Sequence, residues 1–228
     1  MHGRPIEPMK RVFPVFIILL VTAVCARAEW MIHTELQVVI LPKKDAAALM
    51  PELRDDSKID AAFTKVEQLV EKSEARLEAK LIGKGVSGTK LEAKQVEEVR
   101  YPTEWDQPKP IGGGKVPAVA VQPTSFEVRE VGLLFSAEST ASEDGRVLRM
   151  KVEHSHVRML GWTEFEAARL PDNSKVTIKQ PRFSVERGAG EIAMASGSRT
   201  LLGVHAVPEK PDEVELFILH AWTTPTAK

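Results

Sequence analysis

A single cysteine in 228 residues leaves almost no thiol chemistry, and that cysteine, Cys25, sits in an amino-terminal apolar run. Once that run is removed, no disulfide, thiolate metal site or cysteine nucleophile remains, so stability must come from a packed core. An excess of positive charge is missing as well: 31 Lys and Arg stand against 32 Asp and Glu, a formal net charge of −1. Nucleic-acid-binding proteins concentrate cations on one face, and anionic membranes are held by Lys/Arg clusters. The chain has neither feature, so neither partner is expected. A membrane-spanning run is absent too. The charge-free stretch over residues 12–26 falls short of the about 20 apolar residues that a bilayer span needs.

That stretch has another use. Lys10 and Arg11 precede it, Phe13, Phe16, Ile17, Ile18, Leu19, Leu20 and Val21 fill it, and Ala26-Arg27-Ala28 ends it before the polar body begins at Glu29. A basic start, a short apolar centre and a small-x-small site spell an export signal, removed after Ala28. The removed residues carry Arg4, Lys10, Arg11, Arg27 and Glu7, so the remainder has 27 basic and 31 acidic residues. A lipid anchor on Cys25 would want a small residue before it, and Val24 stands there. The expected destination is export out of the cytoplasm.

Over residues 32–41, Ile32, Leu36, Val38 and Ile40 alternate with His33, Glu35 and Gln37, the period of a half-buried strand. An Ala-rich piece over residues 45–53 is interrupted by Pro51. A helix then follows, with Ser57 and Asp60 as its cap and Ile59, Ala62, Phe63, Val66, Leu69 and Val70 as one apolar stripe. This makes residues 29–74 a small strand-helix segment. Leu77, Ala79 and Leu81 switch back to strand period, and Gly83, Gly85 and Gly88 are expected to form a hairpin turn. A phosphate cradle would need a helix directly after the glycines, and residues 89–101 are strand-like instead.

Residues 101–123 hold five prolines and Gly112-Gly113-Gly114, an exposed connection. Beyond it the chain reads as short strands and turns. Phe126 and Val128 share one parity while Val131, Leu133 and Phe135 share the other, the phase slip that a β-bulge near residues 130–132 would produce. Leu148, Met150 and Val152 alternate after the Glu143-Asp144-Gly145 turn. Separate strands are expected over residues 176–180, 183–187 and 191–195, then 200–207 and 214–223 around the Gly197-Ser198 turn. The class is α+β, mainly antiparallel sheet, as a sandwich or a curled sheet.

Candidate chemistry is sparse. His154 and His156 point the same way on a strand, and His205 or His220 could complete a zinc set. A structural role is the favoured reading, so no metal and no cofactor is assigned. Ser196-Gly197-Ser198 lacks the nucleophile frame. Glu97-Glu98 and Glu164/Glu166 lie in charged contexts that would not raise a carboxyl pKa. Trp105, Trp162, Phe165 and Trp222 are too scattered for a sugar platform and read as core or hairpin packing. No catalytic residue is assigned, and the chain is read as no enzyme.

Several blocks carry a resemblance. Ala75-Arg76-Leu77-Glu78-Ala79-Lys80-Leu81 leads through the glycines to Thr89-Lys90-Leu91-Glu92-Ala93 and exits at Tyr101-Pro102-Thr103. Phe126-Glu127-Val128-Arg129-Glu130-Val131-Gly132-Leu133-Leu134-Phe135 closes at Glu143-Asp144-Gly145-Arg146-Val147. Pro181-Arg182-Phe183 runs to Ser196-Gly197-Ser198-Arg199-Thr200-Leu201-Leu202-Gly203, and Leu216-Phe217-Ile218-Leu219 precedes Thr224-Pro225. In this order the blocks, spanning residues 75–225, resemble the hairpins of the secretin β-domain. Secretins are the multimeric outer-membrane pores of bacterial secretion and pilus systems.

The resemblance implies a secretin-like β-domain over residues 75–228, with the Pro/Gly-rich loop at 101–123, behind the 29–74 segment and the 1–28 signal. It implies a non-enzymatic exported component or accessory of an envelope assembly. Its partners would be copies of itself or a larger envelope complex, with outer-membrane association. The rival is a monomeric periplasmic module binding a peptide or glycan. Expression in an exporting host is expected to give a chain beginning at Glu29, read by intact mass; retention of residues 1–28 would contradict the signal.

Overall fold

A computed structural model describes residues 29–55, 57–106, 109–111, 118–169, 173 and 175–226. The signal expected over residues 1–28, with Cys25, and the glycines at 112–114 lie outside the described residues.

Strand β1 (Trp30–Pro42) buries Ile32, Leu36, Val38 and Ile40, as their alternation predicts. Val39 and Leu41 on the opposite face are buried too, because two helices cover that face: α1 (Lys43–Leu53) and α2 (Ile59–Glu71). Helix α1 runs through Pro51 where an interruption was expected; the proline sits in its last turn, and Arg54 still donates its backbone N–H to Met50. The expected cap is also corrected. Lys58 occupies the cap of α2 and makes no side-chain cap bond, while the Ser57 hydroxyl donates to Asp55 at 2.6 Å. The apolar stripe alone seats α2, through Ala62, Phe63 and Val66.

The remaining elements are strands: β2 (Arg76–Val86), β3 (Lys90–Trp105), β4 (Lys109–Ile111), β5 (Ala118–Ala120), β6 (Pro123–Ala141), β7 (Val147–Arg169), β8 (Lys175–Ala195), β9 (Arg199–Val207) and β10 (Lys210–Pro225). One sheet has the order β2-β1-β10-β9, a second β3-β6-β7-β8, and β4 pairs with β5 alone. All recorded pairings are antiparallel. The class is therefore α+β and mainly antiparallel.

The two large sheets pack face to face. Leu36, Val38, Phe217 and Leu219 of the first meet Leu133, Phe135, Leu148 and Met150 of the second. Full burial of each such side chain stabilises by about 1.5–3 kcal/mol. The helices close the far face of the first sheet over Val39, Leu41, Leu216 and Ile218. The order of layers is helices, first sheet, second sheet.

Three strand expectations change. Gly83 and Gly85 lie inside β2, and only Gly88, at φ 87°, makes the turn. A Cβ at Gly83 would approach Leu91 Cδ2 to 2.6 Å, so the missing side chain admits β3 across β2. The two strands are no hairpin: β2 ends in one sheet and β3 begins in the other. Next, the three short strands expected over residues 176–195 are one strand, β8, passing through Pro181. Proline removes a ladder donor, and an edge strand tolerates that loss. Finally, no bulge occurs near Gly132, since the β3–β6 register runs unbroken from Lys90↔Glu138 to Pro102↔Phe126. The apolar residues change face there because the buried face ends, with Phe126 and Val128 exposed.

Strands of 16, 19, 23 and 21 residues build the second sheet, against a usual 5–6. β6 and β7 pair only from Gly132↔Val157 to Ala141↔Leu148. Past that point the sheet divides into two ribbons, β3 with β6 and β7 with β8.

Gly132 sits at the division with φ 135°, and a Cβ there would clash with the Gln95 carbonyl oxygen and reach 3.0 Å from Val96 Cα. Gly132→Ala should therefore cost about 2–4 kcal/mol, through strain and backbone displacement together. Denaturant unfolding measures it, and a loss below about 0.5 kcal/mol would contradict this geometry.

Candidate functional site

The inward face of β7 reads Leu148, Met150, Val152, His154, His156, Arg158, from apolar to polar. Its polar end lies where the ribbons part. Opposite, β10 presents Glu215 on the same face as Phe217 and Leu219. Glu215 is 0% exposed. Arg158 donates from Nη1 to Glu215 Oε1 at 3.3 Å and from Nη2 to Glu215 Oε2, and His156 Nδ1 lies 3.3 Å from Glu215 Oε2. Arg158 also reaches Glu186 Oε2 on β8, at 3.4 Å. Three strands from two sheets are thus tied at one guanidinium.

Burial pushes the Glu215 carboxyl up, but the hydrogen bonds from His156 and Arg158, and the Arg158 charge, outweigh it and hold the group below the usual range. A buried pair of this kind costs desolvation, yet removal of one partner costs more because the other charge is stranded.

His154 is 5% exposed and differs from its neighbour. Its ring stacks on Phe217 with centroids 4.4 Å apart, and His205 approaches it edge-on at 6.2 Å. Neither ring nitrogen has a hydrogen-bond partner among the described residues. Gly188 faces it, where a Cβ would come within 2.7 Å of Nε2. Burial, aided by His205 and opposed by Glu215, pushes its pKa down to about 4.

The zinc set considered from sequence is not assembled. His154 and His156 do share a face, and His205 lies edge-on to His154, but His220 is on the opposite face of the first sheet, tilted against Trp222 at 4.8 Å. Among the described residues no three His, Cys, Asp or Glu side chains are placed to hold a metal. Ser196 bonds to Thr223, and Ser198 donates to the Ala195 carbonyl, so both close a turn. Glu164 pairs with Lys179 at 2.8 Å and Glu166 with Arg169 at 3.0 Å, all on the surface. Of the core or hairpin packing expected for Trp162 and Phe165, the core alternative is corrected, since they are 46% and 51% exposed on the β7–β8 ribbon. Trp222 stacks on His33 at 5.1 Å.

Beyond the polar node the ribbons form two arms. Residues 123–131 of β6 and 158–169 of β7 have no recorded ladder partner between the arms. The arms touch at their other sides. Tyr101 meets Phe183 at 5.7 Å, Arg129 lies over Phe183 at 4.7 Å, and Gln180 Nε2 donates to the Pro102 carbonyl at 3.3 Å. Phe126, Val128, Trp162 and Phe165 remain exposed along them.

Arg158, Glu186 and Glu215 were missed from sequence. A signal existed for two of them: Glu215 is a lone carboxylate in Val214-Glu215-Leu216-Phe217-Ile218-Leu219, and Arg158 continues the parity of His154 and His156. Glu186 gave none.

No protein-family model matches the chain, and no curated protein matches it in sequence. Solved structures do. A chain of the ETEC pilotin–secretin AspS–GspD complex matches over 88% of this chain at 8% identity and TM-score 0.42. The InvG secretin domain β-barrel of the Salmonella SPI-1 injectisome matches over 88% at 10% identity and TM-score 0.37. The type II secretin GspD of enteropathogenic Escherichia coli matches over 86% at 9% identity and TM-score 0.38. This chain spans 50%, 62% and 66% of those three, respectively. None of these likenesses reaches a TM-score of 0.5.

Acid should loosen the node. An unfolded His154 takes up a proton near pH 6.5, whereas the folded one resists until about 4. Stability is therefore full above pH 6.5 and falls as pH drops through that window, by up to about 3 kcal/mol. His154→Leu should flatten this slope in urea unfolding between pH 7 and 4; an unchanged slope would contradict the assignment.

Proposed function

We propose that this chain is a non-enzymatic structural subunit or accessory of a cell-envelope secretion or pilus-type assembly. The observation that carries the reading is the pair of arms, with open edges over residues 123–131 and 158–169 and exposed Phe126, Val128, Trp162 and Phe165. An unpaired strand edge seeks a partner, because its N–H and C=O groups otherwise face water in a row ready for pairing. A neighbouring copy or a larger envelope protein supplies that strand by β-augmentation, and the exposed apolar side chains supply contact area. Some of the residue blocks that resemble secretin hairpins, over residues 89–103 and 126–135 and from Pro181 onward in β8, fall on the same arms and their root, which supports the choice of assembly. In this reading residues 1–28 leave on export, residues 29–74 brace the first sheet, and residues 75–228 carry the arms.

The polar node suits such a part. It ties the β7–β8 arm at its root to β10 of the first sheet, and assembly geometry requires a fixed angle.

The test is the native mass of the exported chain, in detergent extracts of the outer membrane and in the soluble fraction. A multimer resistant to heat is expected in the membrane extract. Val128→Lys with Trp162→Lys should lower the multimer at least tenfold while leaving the circular dichroism unchanged. A soluble monomer in both fractions would overturn the reading.

A further inference from the structure

One cavity lies away from the arms, on the helix-covered side of the first sheet. We infer that the cavity between α2 and the outer face of the first sheet is a docking pocket for a partner peptide that offers one large apolar side chain next to a basic residue. It shares no residue with the arms, and stands apart from the assembly reading.

Its origin is a change in the sheet. Across the strands the outer face runs from an apolar row, Leu216 and Val39, to the mixed row Ile218, Gln37 and Lys80, and then to Arg199, His220, Glu35 and Ile82. Helix α2 continues past that change. Phe63 and Val66 reach the apolar row and are buried, whereas Val70, one turn on, packs against that core only in part and stays half-buried. Leu77 at the rim is exposed. The space left has a volume of about 270 Å³.

Size and wall chemistry select the occupant. Small-molecule sites run to about 300–1,000 Å³ and enclose the whole ligand; this open one is smaller, and holds an anchor while the rest of the ligand lies outside. Val39, Val66, Val70, Leu77 and Ile218 give that anchor an apolar seat. Gln37, whose Nε2 already donates one hydrogen bond to Glu35, and His220 also line it, and the remaining capacity of an amide group and an imidazole suits a peptide backbone.

Charge decides the neighbour of the anchor. Glu67 pairs with Arg199 at 2.8 Å and Glu35 with Lys80 at 2.8 Å, so each of these cations is already engaged. Glu71, also at the rim, has no ion pair among the described residues. The surplus is negative. A cationic residue beside the anchor meets Glu71, and an acidic one is repelled.

Isotope-labelled mature protein titrated with acetyl-Gly-Phe-Lys-Gly-amide tests this by amide chemical shifts. Saturable shifts are expected at Gln37, Val70, Leu77 and His220. Replacing the peptide's lysine by glutamate should weaken binding at least fivefold, and replacing its phenylalanine by alanine should abolish it. Val70→Phe, which fills the space, should abolish binding as well; Glu71→Lys, a surface change that leaves the fold alone, should reverse the preference to the glutamate peptide. No saturation with the lysine peptide, equal response to both charges, or shifts confined to the arms would each overturn the proposal. A monomer that binds the peptide would leave this pocket standing while ending the assembly reading.

Discussion

Thirteen residue pairs between β1 and β10 join the two ends of the described chain, and the other layers rest on that seam. β2 attaches only to the outer side of β1, and β9 only to the outer side of β10. Without the central pairing the first sheet would be two isolated ribbons, each marginal in water. The seam also aligns two opposite faces at once. Val38 beside Phe217 and Leu36 beside Leu219 face the second sheet, while Val39 beside Leu216 faces the helices. A one-residue slip would exchange these sets and turn Glu215 away from Arg158. Such a long-range closure is costly in chain entropy, so the continuous apolar run of β10 has to repay it.

The same constraint explains the polar node. Apolar packing between the sheets holds only while they stay parallel and close, over residues 148–152 of β7. Further along, the second sheet divides and the space between the sheets opens. Arg158, His156 and Glu215 fill that wedge with long side chains that satisfy one another, and His154 caps the apolar core by lying flat on Phe217. Gly188 and Gly132 serve the same junction by omitting side chains where a ring or a backbone must pass. Rigidity at the root and open edges beyond it follow from one geometric event.

Much of the local structure was legible. The alternation of β1, the apolar stripe of α2, the Gly145 and Gly197 turns and the buried face of Leu148, Met150 and Val152 all stand where periodicity put them. Errors came where a neighbour overrode a local sign. Gly83 and Gly85 look like turn residues and are instead a crossing point for Leu91. Pro181 looks like a strand end, yet an edge strand absorbs it. The Ser57–Asp60 cap pattern gave way to the Asp55–Ser57 turn.

Sequence alone determined the mainly antiparallel class, the shared face of His154 and His156 and the absence of a nucleophile frame, because each depends on residue type and short spacing. Tertiary structure decided which sheet receives each strand, that Glu215 lies under Arg158, and that the ribbons end as arms. Those outcomes depend on contacts between residues as far apart as 158 and 215, and short-range periodicity carries no record of distance in space.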